Sequence, residues 1–118
     1  MIKQTALFLG LLATVAAQAE VHVQARIEYS HDGVIEYLTY DEILPEDGTV
    51  IGTQGSAMAR VDEVNATNVI IAFAIPGITA EPIVASCSWD EETEVVIGAE
   101  NKGDDIDQLK LTIIVSRS

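Results

Sequence analysis

The segment that most constrains the fold is 21–29, which reads VHVQARIEY and alternates apolar and polar residues. Successive side chains of a β-strand point to opposite faces, so the apolar residues of this segment share one face and the polar residues the other. The pattern predicts a strand with one buried face. Such a strand needs a sheet to cover it, either in its own domain or in a neighbouring copy.

The first 19 residues have the features of a secretory signal peptide. Lys3 is followed by an apolar run over 6–16 and by Ala17-Gln18-Ala19, a small-x-small cleavage pattern. A retained membrane anchor is the alternative, but the apolar run is shorter than the about 20 residues that span a bilayer. We therefore predict a mature chain of residues 20–118, a single domain that is secreted or periplasmic and free of the membrane after cleavage.

The mature chain is strongly acidic. All 19 acidic residues and five of the six basic residues follow residue 19, so the net charge of 20–118 is −14. A surface of this sign repels phosphate backbones and anionic lipid, which argues against nucleic acid as a partner. Solubility alone is the simplest role of such a charge.

Short β-rich runs separated by turn residues occupy the mature chain, and no stretch of ten residues shows helical periodicity. The predicted strands are 21–29, 34–40, 49–51, 57–64, 69–75, 83–89, 93–99 and 108–116. The run 69–75, VIIAFAI, is apolar on both faces and predicts a central strand. The pattern indicates an all-β fold, an immunoglobulin-like two-sheet sandwich of seven to eight short antiparallel strands, with a small barrel as the other architecture.

Cys87 is the only cysteine, so no disulfide can form within the chain. Its position in a predicted strand favours a small buried core residue, with a reactive thiol or an intermolecular bridge as the alternative. Trp89 is expected to pack on the core or on a sheet.

Signals for catalysis or for a cofactor are weak. His22 and His31 are expected at the surface, and neither has the spacing of a catalytic or metal site. No nucleophile elbow, zinc motif or phosphate loop occurs, so the sequence predicts a protein that is not an enzyme and needs no cofactor. The acidic turns around 90–92 and at Asp104, Asp105 and Asp107 are calcium candidates, which could act jointly if the two loops share one end of the sandwich, although neither follows the EF-hand pattern. Asn65-Ala66-Thr67 is a glycosylation sequon.

Several segments together resemble class 5 chaperone-usher fimbrial subunits, the colonisation-factor pilins. They are the opening strand 21–27, the run 34–38 leading to Leu44-Pro45-Glu46-Asp47-Gly48, the turn and strand 65–74, and the closing strand 109–116. The resemblance covers about half of the mature chain and consists of apolar alternation.

The resemblance implies an incomplete immunoglobulin-like domain that is completed by strand exchange in a cell-surface fimbrium. The donor-strand side chains would be Val21, Val23, Ala25 and Ile27, and those on the final strand bordering the acceptor groove would be Leu109, Leu111, Ile113 and Val115. A periplasmic chaperone, an usher and further copies of the chain would be its partners. A self-contained monomeric binding module, with or without calcium, explains the same alternation through a sheet that is complete in one chain.

Overall fold

The computed structural model describes residues 20–46, 48–53 and 57–118. The predicted signal peptide therefore lies outside the described residues. Within them the chain forms eight strands and one short 3₁₀-helix, Ala99–Asn101. In chain order the strands are β1 (Val21–His31), β2 (Val34–Leu44), β3 (Thr49–Ile51), β4 (Met58–Val64), β5 (Asn68–Ala74), β6 (Ile83–Ser88), β7 (Glu92–Val95) and β8 (Gln108–Arg117). The described part of the chain contains no helix that is long and apolar enough to cross a membrane.

Two antiparallel sheets of four strands each make up the fold. One sheet has the order β2-β1-β8-β7, and the other has the order β3-β4-β5-β6. Neighbouring strands are consecutive in the chain except at one place, where β1 pairs with β8. The predicted all-β sandwich is confirmed, and its likeness to immunoglobulin domains is one of architecture.

Both sheets bury their inner faces in one apolar core. On β1 and β8 every second residue faces this core, and so do Ala59 and Val61 of β4. The strand predicted to be central, 69–75, is β5, which lies between β4 and β6 and buries residues of both faces. Cys87 is fully buried in β6, as expected of a core residue, and burial raises the pKa of its thiol.

Tyr40 of β2 connects the two sheets across the core. Its ring meets the ring of Phe73 edge-on, with centroids 5.3 Å apart, and its hydroxyl donates a hydrogen bond of 2.8 Å to the carbonyl oxygen of Val50 on β3. Only 2% of the residue is exposed. Burial, assisted by Glu42, raises the pKa of this phenol, so the hydroxyl stays protonated and keeps its hydrogen bond.

The strand ends differ from the sequence-based prediction mainly in two places. The hairpin of β1 and β2 is longer than predicted, since β1 reaches His31 and β2 reaches Leu44. The strand predicted over 93–99 ends at Val95, because the chain there leaves β8; Val96 is 93% exposed and the 3₁₀-helix follows. Local β-propensity carries no information about where a partner strand stops.

Removing the Tyr40 hydroxyl should separate the contribution of its hydrogen bond to stability from the contribution of its ring packing. We expect Tyr40→Phe to lower the free energy of unfolding by about 1 kcal/mol, because it loses the bond to Val50 and keeps the packing on Phe73. Tyr37→Phe is the matched control, since Tyr37 lies on the same strand and is exposed; it should change stability by less than about 0.5 kcal/mol. Equal effects of the two changes in urea denaturation would contradict this account of Tyr40.

Candidate functional site

The four predicted donor-strand residues line the buried face of β1. Val21, Val23 and Ile27 are completely buried and Ala25 nearly so. They belong to a strand with neighbours on both sides: eleven residues of β1 pair with β2, and ten pair with β8. In this structure the opening strand therefore lies in the middle of its own sheet.

The predicted groove residues lie directly across from them on β8. Val115 faces Val23, Ile113 faces Ala25, Leu111 faces Ile27 and Leu109 faces Tyr29. Leu111, Ile113 and Val115 are fully buried, and Leu109 packs against the core at its margin. The two sets proposed for donor and acceptor thus meet within one chain, as adjacent strands of one sheet.

A two-residue turn joins β1 to β2. Asp32 and Gly33 have φ values of +50° and +77°, which are the left-handed conformations of a type I′ hairpin turn. The turn places three side chains together at the hairpin tip. Glu36 accepts a hydrogen bond of 2.7 Å from Nε2 of His31 and a longer one of 3.4 Å from the hydroxyl of Tyr29.

The solvent face of this sheet carries polar and charged side chains in cross-strand pairs. Lys110 and Glu94 form an ion pair of 3.2 Å between β8 and β7, and His22 and Asp41 make a contact of 2.6 Å between β1 and β2. The hydrogen bond from His22 lowers the pKa of Asp41. A shallow groove of about 600 Å³ crosses this face, and Arg26 lies among its lining residues.

Strand β2 forms one border of this sheet and is rich in exposed apolar residues. Val34, Ile35, Tyr37 and Ile43 are all between 51% and 59% exposed. Sequence reasoning missed this surface, because it counted 34–40 only as a β-rich run. The sequence did contain a signal for it. Residues 35, 37 and 43 are apolar although they lie on the face opposite Leu38, Tyr40 and Leu44.

The acidic calcium candidates do not come together. Asp107 immediately precedes β8, whereas the amide of Asp90 donates to the carbonyl of Val115 near the other end of that strand. The two loops are therefore roughly 25 Å apart along β8, which excludes a shared site. Nζ of Lys102 donates a hydrogen bond of 3.0 Å to the carbonyl oxygen of Asp107. The positive charge of the lysine therefore lies in the loop where a calcium ion would have to bind.

Trp89 closes a corner between the two sheets. Its indole nitrogen donates a 2.9 Å hydrogen bond to the carbonyl of Asn65, and the guanidinium of Arg117 lies 4.0 Å from the ring centroid. The side chain also packs against the core, which agrees with the prediction made for it. Asn65, the first residue of the sequon, stabilises the turn in which it lies. Its side-chain oxygen accepts hydrogen bonds from the backbone amides of Thr67 and Asn68.

Neither the described residues nor similarity to other proteins supplies a further site. Among residues 20–46, 48–53 and 57–118, no three His, Cys, Asp or Glu side chains are grouped so as to hold a metal ion. No protein-family model, curated protein or solved structure matches the chain.

The hydrogen bond at the hairpin tip should control the titration of His31. Its hydrogen bond to Glu36 raises the pKa of His31, so the stability that this contact contributes is fully present below the unfolded pKa of about 6.5 and is lost as the pH rises through the folded value. We expect Glu36→Gln to lower the midpoint of the His31 imidazole signals in an NMR titration. Asp41→Asn, which removes the partner of the other histidine, should leave that midpoint unchanged. A midpoint for His31 that does not respond to Glu36→Gln would rule out the pair.

Calcium should leave the stability of the domain unchanged. The ammonium group of Lys102 competes for the loop at Asp107, and Asp104 and Asp105 lie in an exposed turn. We expect equal midpoints of thermal unfolding in calcium and in chelator. If calcium raised the midpoint and the double variant Asp104→Asn/Asp105→Asn removed that increase, calcium binding in this loop would be supported and our expectation would be wrong.

Proposed function

We propose that residues 20–118 form a self-contained, exported β-sandwich that acts as a binding module and not as an enzyme. The observation that carries the proposal is the place of β1, which pairs with β2 on one side and with β8 on the other. Because its own chain supplies both neighbours, the domain has no need of a strand from another subunit. The predicted signal peptide supports a place outside the cytoplasm or the cell.

The reactive residue types of the described chain are engaged structurally, which supports a role in binding. His22 and His31 each contact a surface carboxylate, and Cys87 is enclosed in the core. Both histidine–carboxylate pairs lie on the exposed surface, and a thiol enclosed in the core is not accessible to a substrate. The net charge of −14 favours neutral or basic partner surfaces over nucleic acid.

A fimbrial subunit that assembles by strand exchange is the second candidate. The alternating side chains of β1 beside β8 favour it, because a donated strand would make the same contacts in a neighbouring copy. The hairpin opposes it. Since only Asp32 and Gly33 separate β1 from β2, donation of β1 alone would break all eleven of its pairs with β2.

An engineered disulfide distinguishes these two functions. Arg26 and Thr112 are directly opposite each other on β1 and β8, and Cα atoms of such pairs are about 4.5–5.5 Å apart, within the range that a disulfide bridges. We expect the oxidised variant Arg26→Cys/Thr112→Cys to run as a single chain on a non-reducing gel. Exchange of β1 between copies would instead link the chains into a ladder, and that result would replace our proposal by the fimbrial one.

Arg26→Cys alone is the matched control for this experiment. It retains the buried Cys87 and lacks the second engineered thiol, so it should give neither an internal bridge nor a ladder. Oxidation at low and at high protein concentration separates a ladder formed by strand exchange from one formed by random collision.

A further inference from the structure

The open edge of β2 is the least protected edge in the described part of the fold. Natural sheets protect their outer strands by making them short, by adding Lys or Pro, or by a bulge. β3 has three residues, β7 has four residues and carries Glu92 and Glu94, and β6 has six residues and begins just after Pro82. β2 has eleven residues, contains neither Lys nor Pro, and keeps an unbroken register with β1; its three charged residues, Glu36, Asp41 and Glu42, are spread over that length.

The hairpin geometry shows which main-chain groups face outward. In a type I′ turn the amide of Val34 donates to the carbonyl of His31, so this pair is a hydrogen-bonded pair of the ladder. Pairs alternate along an antiparallel ladder, and the N–H and C=O groups of Ile35 and Tyr37 therefore point away from β1. The side chains of the same two residues are 58% and 59% exposed.

We propose that this edge pairs with the same edge of a second copy of the chain. The two β2 strands would run antiparallel about a two-fold axis and join two sheets into a continuous sheet of eight strands. Such an interface combines main-chain hydrogen bonds with cover for exposed apolar side chains. The proposal rests on the proposed function, since β2 is an outer strand beside β1 only while β1 stays in its own sheet.

The distribution of acidic residues allows two copies to pair and narrows the possible registers. With the axis at Leu38, Glu36 faces Tyr40, Asp41 faces Ile35 and Glu42 faces Val34 of the other copy. No two carboxylates are then directly opposite each other. Two carboxylates in directly opposite positions would destabilise the pairing. An axis at Tyr37 places Glu42 opposite Asp32, and an axis at Thr39 places Glu36 opposite Glu42. An axis at Tyr40 also keeps the carboxylates apart, but it places Ile35 opposite Pro45, which has no N–H to donate. The axis at Leu38 also brings the two half-buried Leu38 side chains together.

Lysine substitutions test the edge. Ile35→Lys and Tyr37→Lys each place a charge on the proposed interface, while Val84→Lys makes the same change on exposed β6 of the other sheet. Each lysine lowers the net negative charge, which would favour association by reducing repulsion between copies. A loss of dimer confined to the β2 variants would therefore result from the edge itself.

In sedimentation velocity of the purified chain over a range of concentrations, we expect a dimer for the wild type and for Val84→Lys. The two β2 variants should raise the dimer Kd about tenfold or more. A wild type that stays monomeric at every concentration would overturn the proposal, and so would a Val84→Lys variant that weakens the dimer as much as the β2 variants do. Circular dichroism and thermal unfolding confirm that each variant is folded.

The register has its own test. Two Leu38 residues facing each other in a non-hydrogen-bonded pair would have Cα atoms about 4.5 Å apart, close enough for a disulfide. We expect Leu38→Cys to form a covalent dimer on oxidation, and Val84→Cys, the control, to remain a single chain. A lysine-sensitive dimer in which folded Leu38→Cys does not cross-link would overturn the pairing about Leu38.

These results are separable from the test of the proposed function. If the Arg26→Cys/Thr112→Cys disulfide closes within one chain and the wild type is monomeric, only the pairing of β2 edges fails. If that disulfide links different chains, the proposed function fails first.

Discussion

The pairing of β1 with β8 is the interaction on which the rest of the structure depends. Every other pair of neighbouring strands is joined by a local connection, so this ladder alone connects the beginning of the described chain to its end. It also unites two apolar faces, since completely buried residues such as Val23 and Val115 lie opposite each other. Without it, the hairpin β1–β2 would have no bond to the rest of its sheet, and one side of the core would be open to water. No disulfide within the chain can substitute for it, because Cys87 is the single cysteine.

The fold could be predicted from the sequence because its information is local. Alternation along 21–29 identified β1, and the doubly apolar run 69–75 identified a central strand. Asp32-Gly33, between the first two predicted strands, is a residue pair that a type I′ hairpin turn favours. Partner choice is not local, and here the sequence was less informative. The alternating faces of β1 and β8 are equally compatible with pairing inside a chain and between chains, and only the three-dimensional arrangement places Ile27 opposite Leu111. The strand predicted over 93–99 was too long for the same reason, since Val96 has β-propensity but no neighbouring strand to pair with.

The candidate site was only partly accessible to sequence reasoning. The residues chosen on β1 and β8 are central to the sandwich, yet their burial makes them a source of stability as much as a surface for partners. The accessible apolar residues lie instead on β2, where Ile35 and Tyr37 interrupt the inside-outside alternation that marks an edge strand facing water. Where apolar residues occur on the solvent side of a strand, the pattern contains information on association that is lost when the strand is read only for its fold.

The long separation of β1 from β8 along the chain also determines the order in which the molecule can form. The hairpin β1–β2 closes through two residues and can fold in about 1–10 μs, and the consecutive strands β3 to β6 need only short loops. The β1–β8 ladder requires nearly the whole described chain to be present, and contacts of high sequence separation are slow to form. A chain that leaves the ribosome or crosses a membrane from its N-terminus must therefore wait with one edge of β1 unpaired until β8 has followed it. The interval between the two strands is the period in which this protein is most exposed to aggregation and most in need of protection by another molecule.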